Sequence, residues 1–519
     1  MKIGIFLNYN HMTVLKAEGL GRYIGQLIKG FSKAGNDVTV ICPKWSKNDI
    51  KSLLEDLEVD GENLNLITTK RIPFFLYLYE KLSNSKKKKR RSLKAIIKNF
   101  LQIEIIKAIK IDSLRKMMLF IVEVLLTIII CVLALPFWGI FLILFLLKKF
   151  VKKVFRACFP AIKSIVETLR IYKILQEQTG NELVDIANGL HDIDIWFVPS
   201  LFWPEVNKIK KTTVINIPDI ETEIFSEQFA GFLAGEATRE LRETAFYGKY
   251  FVSYCDYVRN ELVENQLRGQ EKVAFTIKHI NNDMAPYITI SDFVAKQMNT
   301  NIDLTHKFAE SIINSMFFRE NVPVSISSMR YIFYASQFRA NKNVLALLKA
   351  LNELVHKRFI RINLILTGNI SLDKTLREYI EDNNLSNVVY FCNGVTSQQL
   401  AALYECAELV VNPTLYEGGF PFTFGEGMSV GTPSIMSDIP QVRDVFEPAG
   451  LEKFLFDPYD YHAIANKIEW ALKNIEYLKE EELPLYRKLA ERTPEVVANE
   501  YIKVFREVID MDNMRRDVV

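Results

Sequence analysis

The sequence predicts an α/β protein of two parallel-sheet lobes, with an apolar helical insertion in the first lobe. Three observations carry this reading. Short apolar runs alternate with amphipathic stretches at both ends of the chain, the pattern of β-α-β units and parallel sheets. A strand, a glycine-rich loop and a helix start follow one another between Asn412 and Ser437. Between residues 73 and 185 the alternation stops, and Met117 to Leu147 is almost wholly apolar. A chain of 519 residues has room for two or three domains. The expected boundaries are 1–72 for the first part of the first lobe, 73–185 for the insertion and 186–325 for the second part of that lobe. The second lobe is expected over 326–485, with a closing helical segment over 486–519 that crosses back to the first.

Composition narrows the function classes. A net charge of +3 gives no general electrostatic case for nucleic acid. Hydrophobic residues make up 49% and the mean hydropathy is +0.05, high for a soluble enzyme, and the excess sits in the insertion. Cys42, Cys131, Cys158, Cys255, Cys392 and Cys406 show no C-x-x-C spacing, so free thiols in a reducing compartment are expected rather than a zinc site or disulfides. Met1 leads directly into a strand pattern, so no signal peptide is expected.

In chain order, Lys2 to Asn8 is a buried-strand pattern. A glycine turn and an amphipathic helix to about Ala34 follow, Gly35 ends the helix, and Asp37 to Cys42 is the second strand. Gly19, Gly21 and Gly25 read G-x-G-x-x-x-G, one residue off the dinucleotide fingerprint. No acidic residue closes the second strand, which argues against NAD.

The insertion opens with a cationic block, Lys86 to Arg91. It reads as a solvated loop, as a nuclear signal or as a contact for anionic headgroups. The apolar run 117–147 is broken by Glu123, Thr127 and the kink at Leu135 to Gly139. About 20 apolar residues span a bilayer as one helix. This run is too long for one straight span and too short for two comfortable ones. Basic residues flank it on both sides: Arg115 and Lys116, then Lys148, Lys149, Lys152, Lys153 and Arg156. Such flanks prefer the cytoplasmic face, and the lobe on either side of the insertion must share one compartment. A helical hairpin turning near Pro136 to Gly139 is expected, with interfacial helices and a buried soluble helix as alternatives.

The strand pattern resumes at Asp192 to Pro199. Its Asp192-x-Asp194 precedes the strand, so a strand-start role is expected and no metal is assigned. Thr213 to Ile217 is the next strand and ends in Pro218-Asp219. Tyr331 to Ala335 opens the second lobe, followed by the turn Ser336 to Asn343 and a helix. Further strands are expected over 361–367 and 388–392, each with a glycine turn (Gly368, Gly394), and a helix over 398–406. In the central stretch, Leu409 to Val411 and Ser434 to Met436 read as buried strands. Thr423 and Glu426 have capping-box spacing at the intervening helix. Gly431 and Pro433 suit its end. Amides at that helix start favour a phosphate, and glycines let the backbone approach closely. Glu417 and Glu426 can accept hydrogen bonds from sugar hydroxyls.

These residues resemble the retaining family 4 glycosyltransferases of GT-B fold, with two Rossmann-like domains facing a cleft. Glu426, Met428, Gly431 and Pro433 follow the family pattern, whereas eight residues lie between Glu417 and Glu426 where the family has seven. The resemblance implies that Glu426 holds the donor ribose and Glu417 the transferred sugar. The amides around Gly418, Gly419, Phe420, Thr423 and Phe424 would hold sugar and diphosphate. Lys342 matches the family's phosphate-neutralising lysine. Gln337 stands in place of the family's arginine, and Arg339 is two residues on. Gly394 lies where the base is read. Gly19 and Gly21 lie in the loop that faces the donor. Asp219 remains from a His-Asp pair in which Pro218 replaces the histidine. Ser291 belongs to a run, Pro286 to Lys296, that resembles the strand-helix unit closing the first domain. The implied activity is hexosyl transfer with retention, from a nucleotide diphosphate-sugar to a lipid-linked or polysaccharide acceptor, with Lys342, Glu417 and Asp219 at the reacting centre. No cofactor or metal is expected. Membrane lipids through 86–156 and a cytoplasmic-face location complete the expectation. A non-catalytic nucleotide-sugar-binding scaffold or sensor is the alternative.

Overall fold

The computed structural model describes residues 1–11, 13, 15, 19–59, 63–70, 115, 117–123, 125–126, 171–225, 232–261, 272–289, 303–318 and 329–517. One compact unit comprises Met1–Thr69 and Gln178–Val519, and a second comprises Lys70–Glu177.

The first unit contains two sheets. One is built from β1 (Lys2–Phe6), β2 (Asp37–Cys42), β3 (Leu64–Thr68), β4 (Ile195–Val198), β5 (Thr213–Ile217), β6 (Tyr250–Ser253) and β7 (Val273–Thr276), in the order β3-β2-β1-β4-β5-β6-β7. The other is built from β8 (Tyr331–Tyr334), β9 (Asn363–Leu366), β10 (Val389–Phe391), β11 (Leu409–Asn412), β12 (Ser434–Ser437) and β13 (Leu455–Phe456), in the order β10-β9-β8-β11-β12-β13. The strands pair in parallel, for example Ile3↔Val38 and Val410↔Phe333. Central strands such as β4, β8 and β11 are buried along their whole length, which is why they read as unbroken apolar runs. In both sheets the order reverses beside the first strand, so a crevice opens there at the carboxyl ends.

Helix α1 (Gly19–Lys33) turns Tyr23, Leu27, Ile28 and Phe31 onto the first sheet, a helical-period stripe. Helix α2 (Phe422–Ser429) follows the central glycine loop. Helix α3 (Pro494–Asp517) lies against the first lobe, although it follows the second in the chain. Its Tyr501 and Phe505 join the first-lobe core, and the Tyr23 hydroxyl donates to that of Tyr501 at 3.1 Å. Asp512 accepts from Thr212 and Tyr250 at 2.7 and 3.1 Å.

Several local expectations hold. Gly35 and Gly431 have φ of +74° and +88°. The Lys2 amide donates to Asp194 at 2.8 Å and its ammonium pairs with Asp192, so the aspartates anchor a strand start. Cys42, Cys255, Cys392 and Cys406 are free thiols.

Two local expectations fail. Thr423 and Glu426 form no capping box: the Thr423 hydroxyl accepts from Asn412 at 2.9 Å and Glu426 is turned inward. A reciprocal box does form at Thr396 and Gln399, at the start of the helix Ser397–Glu405. At the start of the run from Pro286 to Lys296, Ala285–Tyr287 is a 3-10 turn with proline in its first turn, as a fixed φ and a missing N–H favour, and 290–296 lie outside the described residues. The strand-turn-helix unit lies earlier, as β6 followed by the helix Asp256–Asn260. Ser291 is outside the described residues.

In the second unit, described residues between 117 and 126 are helical and expose Met118, Leu119, Val122, Leu125 and Leu126. Among the described residues no helix is long and apolar enough to cross a membrane. The cationic block at Lys86 to Arg91, the kink at Pro136 and the basic flank from Lys148 to Arg156 lie outside the described residues.

Gly30 makes the α1–α3 contact possible, since a Cβ there would stand 2.1 Å from the Pro494 carbonyl oxygen. Gly30→Ala should destabilise the fold by about 1–3 kcal/mol, read as a lower urea midpoint. Gly235→Ala, in the helix Phe232–Tyr247 with open space around its Cβ, should instead stabilise by about 0.5–1 kcal/mol.

Candidate active site

The loops that follow β8 and β11 leave adjacent strands at the point where the second sheet's order reverses. Asparagines stitch them together. The Leu415 amide donates to the Asn341 carbonyl at 2.7 Å, and the Asn341 amide group reaches Tyr416 O at 3.3 Å. Asn343 adopts φ +53° and donates to Pro413 O and Pro458 O at 3.0 and 2.7 Å. Asparagine tolerates this left-handed geometry better than most residues. Lys342 stands between these two anchors, and its Nζ donates to Glu417 Oε1 at 2.6 Å. Both side chains are about one-fifth exposed.

Loops of the first lobe face this pair. Gly418 packs so closely that a Cβ would stand 1.7 Å from the Pro218 carbonyl oxygen and 3.1 Å from the Asp219 Cβ. The Cys255 thiol donates to Gly418 O at 3.5 Å, and the Tyr416 hydroxyl accepts from the Ile220 amide at 3.0 Å. A Cβ on Gly419 would meet Tyr254. His279 reaches the Phe420 carbonyl and, at 3.0 Å, the Ile280 carbonyl. Its burial lowers its pKa and outweighs these two contacts. Gly19, at the start of α1, lies 4.0 Å from the Phe422 ring by the same Cβ measure.

A charge cluster results. Asp219 Oδ1 accepts from the Glu221 amide at 3.3 Å. Glu221 Oε2 is 4.0 Å from Arg339 Nη1, and Arg339 Nη2 donates to Gln337 at 3.0 Å. Burial raises the Asp219 pKa against the pull of Arg339 and Lys342. Burial, reinforced by Asp219, pushes Glu221 up to about 7. The sequence reading missed Glu221, His279 and Asn282. No motif marks them, because they converge only through the packing of two lobes. Glu221 did have one usable signal, its position two residues after Asp219.

Glu426 is 7% exposed, and both its oxygens have protein partners. Asn282 of the first lobe donates to Oε1 at 2.9 Å and the Tyr404 hydroxyl to Oε2 at 2.7 Å. A ribose can share these oxygens through their second lone pairs, once Asn282 gives way. Phe420 and Phe424 pack on each other and on Phe446, and Phe424 is fully buried. The hydroxyl of Thr423 is engaged by Asn412. Gly21 serves its own turn, where a Cβ would meet the Leu15 carbonyl. Gly394, with φ +69°, follows β10 at the sheet's edge and joins none of these contacts.

Two lobes with carboxyl-end loops facing each other define a GT-B-like α/β fold. It is similar to sucrose-phosphate synthase from Thermosynechococcus elongatus (TM-score 0.58, 11% identity, 98% of this chain and 100% of that one). It is also similar to Anabaena HepE in complex with UDP-glucose (TM-score 0.56, 13% identity, 98% and 99%). Residues 320–493, which include most of the second lobe, match the family described as Glycosyl transferases group 1. O-antigen chain mannosyltransferase B of Escherichia coli is 31% identical over 146 residues, 28% of this chain and 37% of that protein. MMP alpha-(1->4)-mannosyltransferase of Mycolicibacterium hassiacum is 32% identical over 133 residues, 25% and 31%. O-antigen chain mannosyltransferase RfbU of Salmonella typhimurium is 26% identical over 204 residues, 39% and 53%. The matches thus span about a third to a half of these curated relatives' length.

Gly418→Ala should force the two lobes apart at Pro218. The expected result is a loss of about 1–3 kcal/mol and faster proteolysis between the lobes, checked by thermal melts and limited digestion. Unchanged melting and digestion would count against this close approach.

Proposed function

We propose that the protein transfers a hexose, with mannose favoured, from a nucleoside diphosphate-sugar to a glycan or lipid-linked acceptor with retention of configuration. One observation carries the reading. Lys342 and Glu417 meet beside a glycine loop, where the second sheet's order reverses, opposite Asp219 of the first lobe. The three mannosyltransferase relatives support the choice of sugar.

In this reading Lys342 exchanges its bond to Glu417 for the donor diphosphate, and Arg339 adds a second cation. Amides at the start of α2 supply further partial positive charge. Departure of the nucleoside diphosphate leaves an oxocarbenium-like centre, and preorganised charge lowers that barrier. Glu417 is then free for the transferred sugar, Glu426 for the ribose, and Asp219 faces the acceptor side. The leaving-group charge is met by Lys342, Arg339 and amides, so the proposed chemistry calls on no cofactor. Neither glutamate is assigned as a nucleophile.

The second unit is proposed to hold the protein at the cytoplasmic face of a membrane through 86–156. The exposed apolar side chains between 117 and 126 support this, as do the basic flanks in the sequence. Deleting 117–147 should move the protein from the membrane pellet to the supernatant. Equal membrane retention would remove the anchoring role.

A scaffold or sensor is the second reading, favoured by one observation: Lys342 and Glu417 already satisfy each other. Turnover decides between the two. A panel including GDP-mannose and UDP-glucose should raise the melting temperature of the wild type. Lys342→Ala and Glu426→Ala should each weaken donor binding by about tenfold or more.

A further inference from the structure

Glu221 is a carboxyl group that the fold buries without completing its hydrogen bonding. Its side chain is 7% exposed, and Oε1 has no hydrogen-bond partner. Its neighbours are charged and come from several elements: Asp219 after β5, Arg339 and Lys342 after β8, and Glu417 after β11. Along its own short helix, Glu223 is occupied in a two-pronged pair with Arg242. Buried polar atoms nearly always find a partner, so an unmatched one in a cleft calls for explanation. It does not bond the nearest cation, since Arg339 Nη1 stays 4.0 Å from the other oxygen, Oε2. A buried carboxyl oxygen left unmatched in the neighbourhood of two cations is suited to a neutral donor arriving with a ligand. A hydroxyl fits, whereas a phosphate oxygen carries no hydrogen and repels it.

We propose that Glu221 binds a hydroxyl of the transferred hexose, reaching across from the first lobe while Lys342 and Arg339 hold the diphosphate. The assignment rests on the glycosyltransferase reading above, and adds to it a sugar contact that lies outside the glycine loop. Glu221 then helps to determine which hexose is accepted. It reads the sugar and not the nucleotide, because its neighbours are the groups assigned to the diphosphate and the transferred sugar. Glu426, the residue assigned to the ribose, is instead in contact with Asn282 and Tyr404.

The test uses the full chain and compares two ligands for each nucleoside: UDP against UDP-glucose, and GDP against GDP-mannose. Glu221→Ala should weaken binding of the preferred nucleotide-sugar about tenfold, and leave the matching nucleoside diphosphate within about twofold. Glu221→Gln should keep most of the sugar-dependent affinity, because its amide oxygen still accepts a hydroxyl. Glu221→Asp, which keeps the charge but shortens the reach, should behave like the alanine variant and guards against a folding failure of that variant. An unchanged sugar-dependent affinity in both Glu221→Ala and Glu221→Asp overturns the proposal. An equal loss for sugar and sugar-free ligands also overturns it, since that marks a contact between lobes only. A wild type that binds none of the four ligands overturns the glycosyltransferase reading and this inference together.

Discussion

The site depends on the stitching of two loops that leave neighbouring strands. After β8 and β11 the chain turns toward opposite faces of the sheet, as right-handed crossovers require on either side of a reversal in strand order. Left alone, the two loops would diverge. Asn341 and Asn343 prevent this by bonding the backbone of Leu415, Tyr416, Pro413 and Pro458. Lys342 is fixed between them, and its distance to Glu417 follows from the asparagines more than from the attraction of the two charges. A lysine and a glutamate that are about one-fifth exposed gain only modestly from pairing. The asparagine bonds are largely buried and set the geometry beforehand.

A second constraint is the absence of side chains where the lobes meet. Gly418, Gly419 and Gly425 each lie against a first-lobe residue at distances no Cβ allows, respectively Pro218, Tyr254 and Asn281. Three carboxyl groups and two cations can therefore gather close enough to act on one another's charge. Burial without full compensation keeps Asp219 and Glu221 easier to protonate than usual. This lowers the mutual repulsion of the acids and leaves the cations effective.

Much of the fold was legible from residues alone. Strands buried on both faces announce themselves as unbroken apolar runs, and Gly35 and Gly431 mark helix ends by conformational need. Lys342 and Glu417 were readable because each sits in a short loop directly after such a run. The first-lobe half of the site was harder to see. His279, Asn282 and Glu221 carry no local pattern, and their proximity to the second lobe is a product of tertiary packing. The apparent capping box at Thr423 and Glu426 misled for a related reason. Spacing permits a local bond, but Tyr404 and Asn282 offer the carboxylate a buried, fully bonded alternative. The run from Pro286 resembled the family's strand-helix unit, yet at its start proline and a turn of 3-10 helix, Ala285–Tyr287, prevail.

Helix α3 has a consequence for how the chain is made. The residues that finish the first lobe, Tyr501, Phe505 and Val508, leave the ribosome only after the whole second lobe. Until they emerge, the sides of Tyr23 and Phe31 that pack against Tyr501 and Phe505 have no cover. A first lobe that cannot close until then must keep apolar surface exposed while the second lobe is being made. The protein is therefore expected to lean on holding chaperones, and a nascent chain stalled before residue 497 would be sticky although the first sheet was already present in full.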